Sequence, residues 1–357
     1  MISYIEEAEL WKKKKEHILH ILNISNLPVV LFGQTTAIRP DFLDKIEVKK
    51  EYILDNDSKK WGNQQWGLKI ISPMQCPYKE YNVLILVPFV EEITNQLKQL
   101  PNVPQNIFYL DLYFESNDTA MYYETKHKEI ETVYDILSDD MSKVVFQNVI
   151  RYRINRDEKF LQDIALPRNT QYFPKNLNDN PFLTEKEVFL DAGAFVGDTV
   201  SAFLKVVDGH YDSIYAFEPD EKNYKMLSNT YMDNEKIHCY QAGVGEKSEI
   251  LHFISDTSGS KVSMEGTEQI QIVSLDELLG DIPVTYLKMD VEGMECAALR
   301  GATKLIQRYK PKLAICTYHS NSDMLEIPKL ILEINPTYQL YFRHYTQGIV
   351  ETVCYAL

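Results

Sequence analysis

The 357-residue sequence contains no Cys-x-x-Cys pair, and its five cysteines, Cys76, Cys239, Cys296, Cys316 and Cys354, are odd in number. A disulfide framework does not fit that count, whereas buried free thiols in a reducing cytoplasm do. No apolar run is long enough to span a bilayer, since the longest, Val83 to Val90, is short and carries Pro88. The amino terminus places Glu6, Glu7 and Glu9 where a secretion signal would need an apolar core. A cytoplasmic location is therefore expected. Positive charge is in deficit, with 37 Lys and Arg against 52 Asp and Glu and a formal net charge of −15. Such a chain is not built to gather phosphate backbones or anionic lipid heads, so neither nucleic acid nor membrane is an expected partner. Internal repeats and low-complexity tracts are missing as well.

The length suggests about two domains, and 45% apolar with 25% charged residues is ordinary for a globular protein with full cores. Residues 1–25 read as an amphipathic helix, with Trp11, Ile18, Leu19 and Leu22 at helical spacing and Lys12 to Lys15 on the wet side. Residues 26–115 read as a small Rossmann-like α/β domain. Its strands are Pro28 to Phe32, Val48 to Leu54, Tyr81 to Val87 and Ile107 to Leu110, with a helix over Val90 to Leu100. Asp55 follows Gly33 by 22 positions (55 − 33), near where a dinucleotide fold puts its ribose carboxylate. Gly33-Gln34-Thr35-Thr36-Ala37 nevertheless lacks the further glycines that let a phosphate approach the backbone. A structural or substrate-shaping role is the alternative to nucleotide binding there. Residues 116–180 form a helical connector, with Ile130, Val133, Tyr134 and Leu137 in helical register, ending in a loop rich in Pro and Asn from Pro167 to Pro181.

Residues 181–357 carry the chemistry. Val188-Phe189-Leu190 is a buried-strand pattern ending at Asp191, followed by Gly193 and Gly197 and then a helix from Thr199. Strand, glycine turn and helix form the first unit of a doubly wound sheet. Two glycines rather than the three of G-x-G-x-x-G suit a nucleoside-based ligand without a pyrophosphate, and a turn that binds nothing is the plain alternative. Ser213 to Phe217 is the second strand. Glu218 at its tip follows Gly197 by 21 positions (218 − 197), where a carboxylate accepts hydrogen bonds from both hydroxyls of a ribose. Pro219 stiffens that turn. A third strand, Lys236 to Ala242, leads to Gly243-Val244-Gly245, a glycine turn suited to lie under an adenine ring. Ile250 to Phe253 and Gln269 to Val273 read as a hairpin, and Ser274 with Glu277 as a capping box. Thr285 to Met289 and Pro311 to Tyr318 are further strands, tipped by Asp290 with Glu292 and by His319. Tyr338 to Arg343 and Glu351 to Ala356 close the chain as an antiparallel hairpin.

Asp191 to Thr199, Phe217-Glu218-Pro219, Tyr286-Leu287-Lys288-Met289-Asp290-Val291-Glu292-Gly293-Met294-Glu295 and Leu299-Arg300-Gly301-Ala302 together resemble the FkbM family of S-adenosylmethionine-dependent methyltransferases. The resemblance covers about residues 181 to 357. It implies an α/β chain of two Rossmann-like domains, the second a seven-stranded class I methyltransferase sheet with the terminal hairpin. It further implies O-methylation of a hydroxyl on a sugar, glycan precursor or secondary metabolite. The expected cofactor site is Asp191, Gly193, Phe195, Gly197, Asp198, Thr199, Glu218, Pro219, Gly243 and Asp290. An alcohol hardly ionises at neutral pH, so a base is needed. His319 is the first choice, with Asp290 second or orienting it. Asp290 and Glu292 alone are too few to assign a metal site, so none is assigned. His344 beside Arg343 reads first as ordinary surface placement, with substrate contact as the weaker candidate role. The competing functions are a nicotinamide-dependent nucleotide-sugar enzyme and a non-catalytic scaffold. A small-molecule or sugar substrate is the expected partner, and homo-oligomerisation is open.

Overall fold

A computed structural model describes residues 4–33, 41–111, 116–175, 177–178, 182–254, 261–262 and 268–357. Gln34 to Ala37 of the first glycine turn, and Asn176, Asn180 and Pro181 of the loop-rich boundary, lie outside the described residues. The chain divides into two compact units. One comprises Met1–His127, Gln147–Asp163 and Thr346–Val350, and the other Lys128–Phe146, Ile164–Tyr345 and Glu351–Leu357. The helix Asp140–Asn155 passes from one unit into the other.

The first unit is built on six strands: β1 (Val29–Phe32), β2 (Tyr52–Leu54), β3 (Gln64–Gln65), β4 (Leu68–Ile71), β5 (Asn82–Ile85) and β6 (Asn106–Tyr109). Their order is β3-β4-β2-β1-β5-β6, parallel except for β3 against β4. Alternate residues face opposite sides of a strand. Val29 and Leu31 accordingly pack with Trp11, Ile18 and Leu22 of the helix Tyr4–Ile24. Val30 and Phe32 pack with Ile93 and Leu97 of the helix Val90–Leu97. Each such apolar side chain contributes about 1.5–3 kcal/mol on burial. The hairpin β3–β4 is absent from the sequence-based reading. Its two-residue turn puts Trp66 at φ 53° and Gly67 at φ 77°, and a tryptophan in a left-handed position hides the usual turn signal. The lysine run is also not uniformly wet: Lys12 and Lys13 are exposed, whereas Lys14 is half-buried and pairs with Glu158 at 3.0 Å.

The second unit holds a seven-stranded sheet made of β7 (Val188–Ala192), β8 (Ser213–Phe217), β9 (Ile237–Tyr240), β14 (Tyr286–Met289), β15 (Lys312–Cys316), β16 (Leu340–His344) and β17 (Thr352–Ala356). Between β9 and β14 the chain forms a smaller sheet from β10 (Gly243–Val244), β11 (Glu249–Ile254), β12 (Lys261–Val262) and β13 (Glu268–Val273). The large sheet runs β16-β17-β15-β14-β7-β8-β9, and β17 alone is antiparallel to its neighbours. Renumbered within the sheet, this order is 3-2-1-4-5-7-6 with an inverted seventh strand, the class I methyltransferase arrangement. Its centre is dry and aromatic: Phe189 stacks on Phe203 at 4.6 Å and on Tyr286 at 5.0 Å.

Two local expectations are corrected. Gly243-Val244 is not a free turn but β10, paired in parallel with Ile272-Val273 of β13, because the inserted ribbon supplies the edge on which it lies. The capping box at Ser274 does not form: its side chain makes no cap bond, and its hydroxyl donates to the Gly301 carbonyl at 3.0 Å. Glu277 instead accepts from the Ser248 hydroxyl at 2.6 Å. The expected hairpin of β11 against β13 and the terminal hairpin are both present.

Candidate active site

From β7 the chain proceeds to β8 and β9 on one side, then returns to β14 on the other. The carboxyl ends of β7 and β14 therefore flank the reversal of strand order, where open α/β sheets take their ligands. The turn after β7 is tied to the tip of β8, since the Gly193 and Ala194 amides both donate to the Phe217 carbonyl, at 3.0 and 2.9 Å. Gly193 sits at φ +80°, and a Cβ there would lie 1.8 Å from the Asp290 carbonyl oxygen. Only glycine fits, and the fit brings the β7 turn against the backbone at the tip of β14. Phe195 takes φ +48° and leaves its ring exposed. Gly197, at φ +90°, precedes the helix Asp198–Val206, and its carbonyl accepts from the Tyr231 hydroxyl at 2.9 Å. Asp198 is exposed and Thr199 half-buried in the first turn of that helix.

Glu218 is buried at the tip of β8. One of its oxygens accepts from the Phe195 amide and the other from the Asp220 amide, each at 2.9 Å. Burial pushes its carboxyl up to about 7, against the pull of those two amides. Pro219 beside it is half-buried. On the side where Gly243 lacks a side chain, a Cβ would meet Ile272 at 2.7 Å, with Pro219 next at 3.7 Å.

Asp191 is wholly buried within β7, and Lys288 of β14 lies opposite it in the register of the two strands. Their charges stand 2.9 Å apart, while the Lys288 ammonium donates to the Gly193 carbonyl at 2.7 Å. The ion pair lacks hydrogen-bond alignment, so neither Asp191 oxygen has a hydrogen-bond partner. Burial pushes Asp191 up to about 6 despite the ammonium. For Lys288, burial alone would lower the pKa, but Asp191 and Asp290 hold it above the ordinary lysine value. The lysine is thus a fixed cation that ties the β7 turn from below.

Asp290 at the tip of β14 accepts from the Tyr172 hydroxyl on Oδ2 and the Tyr318 hydroxyl on Oδ1, both at 3.0 Å. Burial would raise its carboxyl, but Lys288, His319 and the two hydroxyls outweigh that and keep it below the usual carboxylate range. His319, beyond β15, has a side chain only 5% exposed, with Nε2 at 3.4 Å from Asp290 Oδ1 and 3.6 Å from Glu292 Oε2. Its Nδ1 faces Glu295 Oε1 at 2.9 Å. Burial would lower the imidazole pKa, but Glu295, Asp290 and Glu292 together push it up to about 10. Glu292 stands at φ 53°, and burial lifts its carboxyl to about 7. Glu351, bonded to Gln171, is also raised, by burial and by Asp290.

The residues expected from the sequence therefore fall into two adjoining groups. Asp191, Gly193, Phe195, Gly197, Asp198, Thr199 and Glu218 build the turn, and Asp290 with His319 stands at the next two strand tips. His344 does not join them. It is wholly buried in β16, with Nδ1 2.8 Å from the Thr352 hydroxyl, because both faces of that edge strand are covered. Arg343 is engaged by Asp139 at 2.6 Å. Tyr172, Lys288, Glu295, Tyr318 and Glu351 were missed. Lys288 had a signal, a lone ammonium in the strand pattern Tyr-Leu-Lys-Met, and Glu295 stood within the quoted motif. Tyr172 and Glu351 carry no local pattern.

Sheet order and strand-tip crevice together define a class I methyltransferase fold. Residues 191–341 match the family model described as the methyltransferase FkbM domain. Over that stretch the chain carries a methyltransferase FkbM domain. The crystal structure of a methyltransferase FkbM from Methylobacillus flagellatus KT is 21% identical, with a TM-score of 0.66, covering 99% of this chain and 98% of that one. That likeness shows a shared fold over both units. Aeropyrum pernix fibrillarin, solved with natively bound S-adenosyl-L-methionine, is 13% identical with a TM-score of 0.33, over 49% of this chain and 69% of that one. An rRNA methylase from Streptococcus thermophilus is 15% identical with a TM-score of 0.33, over 49% and 87%. Likenesses that small carry no weight here. No curated protein matches the chain. No described helix is long and apolar enough to cross a membrane.

Proposed function

We propose that this chain moves a methyl group from S-adenosylmethionine to a hydroxyl oxygen of a sugar, glycan precursor or secondary metabolite. The observation that carries the reading is the close approach of Gly193 to the Asp290 carbonyl, since a Cβ on Gly193 would lie only 1.8 Å from that oxygen. It brings the glycine turn, tied to Glu218 through the Phe195 amide, against the tip of β14 at Asp290. The residues suit an adenosine-bearing ligand. The turn leaves no room for a side chain, and each Glu218 oxygen, having accepted one amide, keeps a lone pair for a ribose hydroxyl. Asp191, Gly193, Phe195, Gly197, Asp198 and Thr199 would hold the cofactor at the turn, with Pro219 and Gly243 beside the base. When bound, S-adenosylmethionine supplies an electrophilic methyl on a sulfonium.

The chain's own task is to orient the acceptor and take its proton. Asp290 is kept ionised as it stands, between two tyrosine hydroxyls. His319 holds its proton and has to lose it before it serves as a base. Calorimetric titration with S-adenosylmethionine tests the cofactor, and one molecule bound per chain is expected. Methyl transfer to a panel of sugars and hydroxylated metabolites, with His319→Ala and Asp290→Ala alongside, tests the acceptor and the base. No detectable cofactor binding would remove the reading, and full turnover in the His319 variant would remove that residue as base.

A further inference from the structure

Beside the crevice, the tips of β14 and β15 gather more donor atoms than a base requires. Donor atoms of Asp290, Glu295 and His319 all lie within 4.8 Å of one another. His319 Nε2 stands 3.4 Å from Asp290 Oδ1 and 3.6 Å from Glu292 Oε2. Ligand atoms each about 2.1 Å from one shared ion are about 3.0 to 3.4 Å apart, for octahedral and tetrahedral angles respectively. The two spacings on Nε2 are at or just beyond the upper value, while Glu295 Oε1 stands at 2.9 Å from the other ring nitrogen, Nδ1. A second observation is independent of the clustering. Glu295 is only 1% exposed, and its Oε2 has no hydrogen-bond partner. A buried carboxylate oxygen left unpaired is costly unless something positive completes it.

We propose that Asp290, Glu295 and His319, with Glu292 at the rim, bind one divalent cation of the magnesium and manganese kind. Carboxylate oxygens predominate over a single imidazole, which favours a hard, oxygen-seeking ion over thiophilic metals. Tyr172 and Tyr318 fix Asp290 with one hydroxyl on each of its oxygens, the service that outer partners perform at metal sites. Backbone shape supports the arrangement: Glu292 is held at φ 53° and Gly293 at φ 93°, which turns the chain sharply between Asp290 and Glu295. An ion there would bind the oxygen of an incoming alcohol and make its proton easier to remove. That last role rests on the methyl-transfer reading, whereas the ion site itself does not.

The test is a Mn2+ titration of the chelator-treated full chain, followed by the loss of the free-ion electron paramagnetic resonance signal. One Mn2+ per chain is expected, displaced by excess Mg2+, with affinity reduced at least about tenfold in Glu295→Gln and in Glu292→Gln. A wild-type chain that binds no Mn2+ overturns the proposal, as does unchanged affinity in folded Glu295→Gln. Should that variant fail to fold, the wild-type stoichiometry and the Glu292→Gln variant at the rim still decide. Parallel calorimetry with S-adenosylmethionine separates the two readings. Cofactor binding without Mn2+ removes only the ion site, and Mn2+ binding without the cofactor removes only the methyl-transfer assignment.

Discussion

The two halves of this chain build the same thing twice, a parallel sheet whose first strand ends in glycine and whose second ends in an acid. They use the ends differently. In the N-terminal sheet, Asp55 is turned inward to local bonds: it accepts from the Asp57 amide at 2.8 Å and pairs with Lys60 at 3.3 Å. A Cβ on Gly33 would meet the Val87 side chain, which can shift, whereas one on Gly193 would meet backbone. In the C-terminal sheet, Glu218 and Asp290 stay at the crevice while a buried lysine stabilises the turn from beneath. A shared plan therefore says little about shared chemistry, and the strand-tip partners decide it.

The contrast is broken hardest at the glycines. Gly193→Ala is expected to cost about 3 kcal/mol or more and to abolish cofactor binding, because both φ and the Asp290 carbonyl oppose a side chain. Gly33→Ala should cost about 1 to 2 kcal/mol and leave cofactor affinity alone. Thermal melts and calorimetry on the two variants check this, and equal losses would erase the distinction. Next come the ion pairs. Lys288→Met leaves Asp191 buried without its cation and should destabilise the protein by about 3 kcal/mol, with much of that recovered in the Lys288→Met/Asp191→Asn double variant. Lys60→Met, at a partly exposed pair, should cost under about 1 kcal/mol by urea unfolding.

A smaller effect separates the acids. Glu218→Gln should weaken S-adenosylmethionine binding about tenfold, and Asp55→Asn should not change it. The wild-type affinity carries a pH signature. A carboxyl raised to about 7 is protonated below that pH and ionised above it. An ionised Glu218 accepts the ribose hydroxyls better, so the dissociation constant should fall as pH rises from 6 to 8 on the order of tenfold at most per unit below 7. A flat profile would take Glu218 away from the ribose.

The least effect is expected in acid. Burial would raise Glu187, but Lys312 and the Thr285 hydroxyl hold it below the ordinary glutamate value. A depressed carboxyl contributes stability above its unfolded pKa of 4.5 and loses it as pH falls through the folded value. Glu187→Gln should therefore flatten the acid limb of unfolding below pH 4.5, read by hydrogen exchange at Val188, whose amide lies beside this pair through Thr285.

Most of the sheet in the second half was legible, because β7, β8, β14 and β15 are apolar runs cut off by acids or His319 within three residues of their ends. Their tips were legible for the same reason. Strand register was not, so Lys288 read as one more strand residue, although pairing sets it opposite Asp191. His344 was misjudged because alternation in a terminal hairpin does not reveal that both faces are covered. The Ser274 box failed since the hydroxyl found a nearer carbonyl 27 residues away. Asp290 was recognised, but its partner Tyr172 lies 118 residues from it, beyond any motif. Local pattern names the strand tips, and tertiary packing chooses what surrounds them.

Tyr172 has a consequence for anyone wishing to excise the catalytic half. Its amide donates to the Tyr355 hydroxyl at 3.0 Å, its carbonyl accepts from the Tyr286 hydroxyl at 2.5 Å, and its own hydroxyl donates to Asp290. Two strands, β17 and β14, are buttoned by this one residue upstream of the matched segment. A fragment starting at the first recognisable motif would still fold its sheet around Phe189, yet would arrive with a loosened Asp290. Poor turnover in such a fragment would speak of where the scissors fell, not of the chemistry.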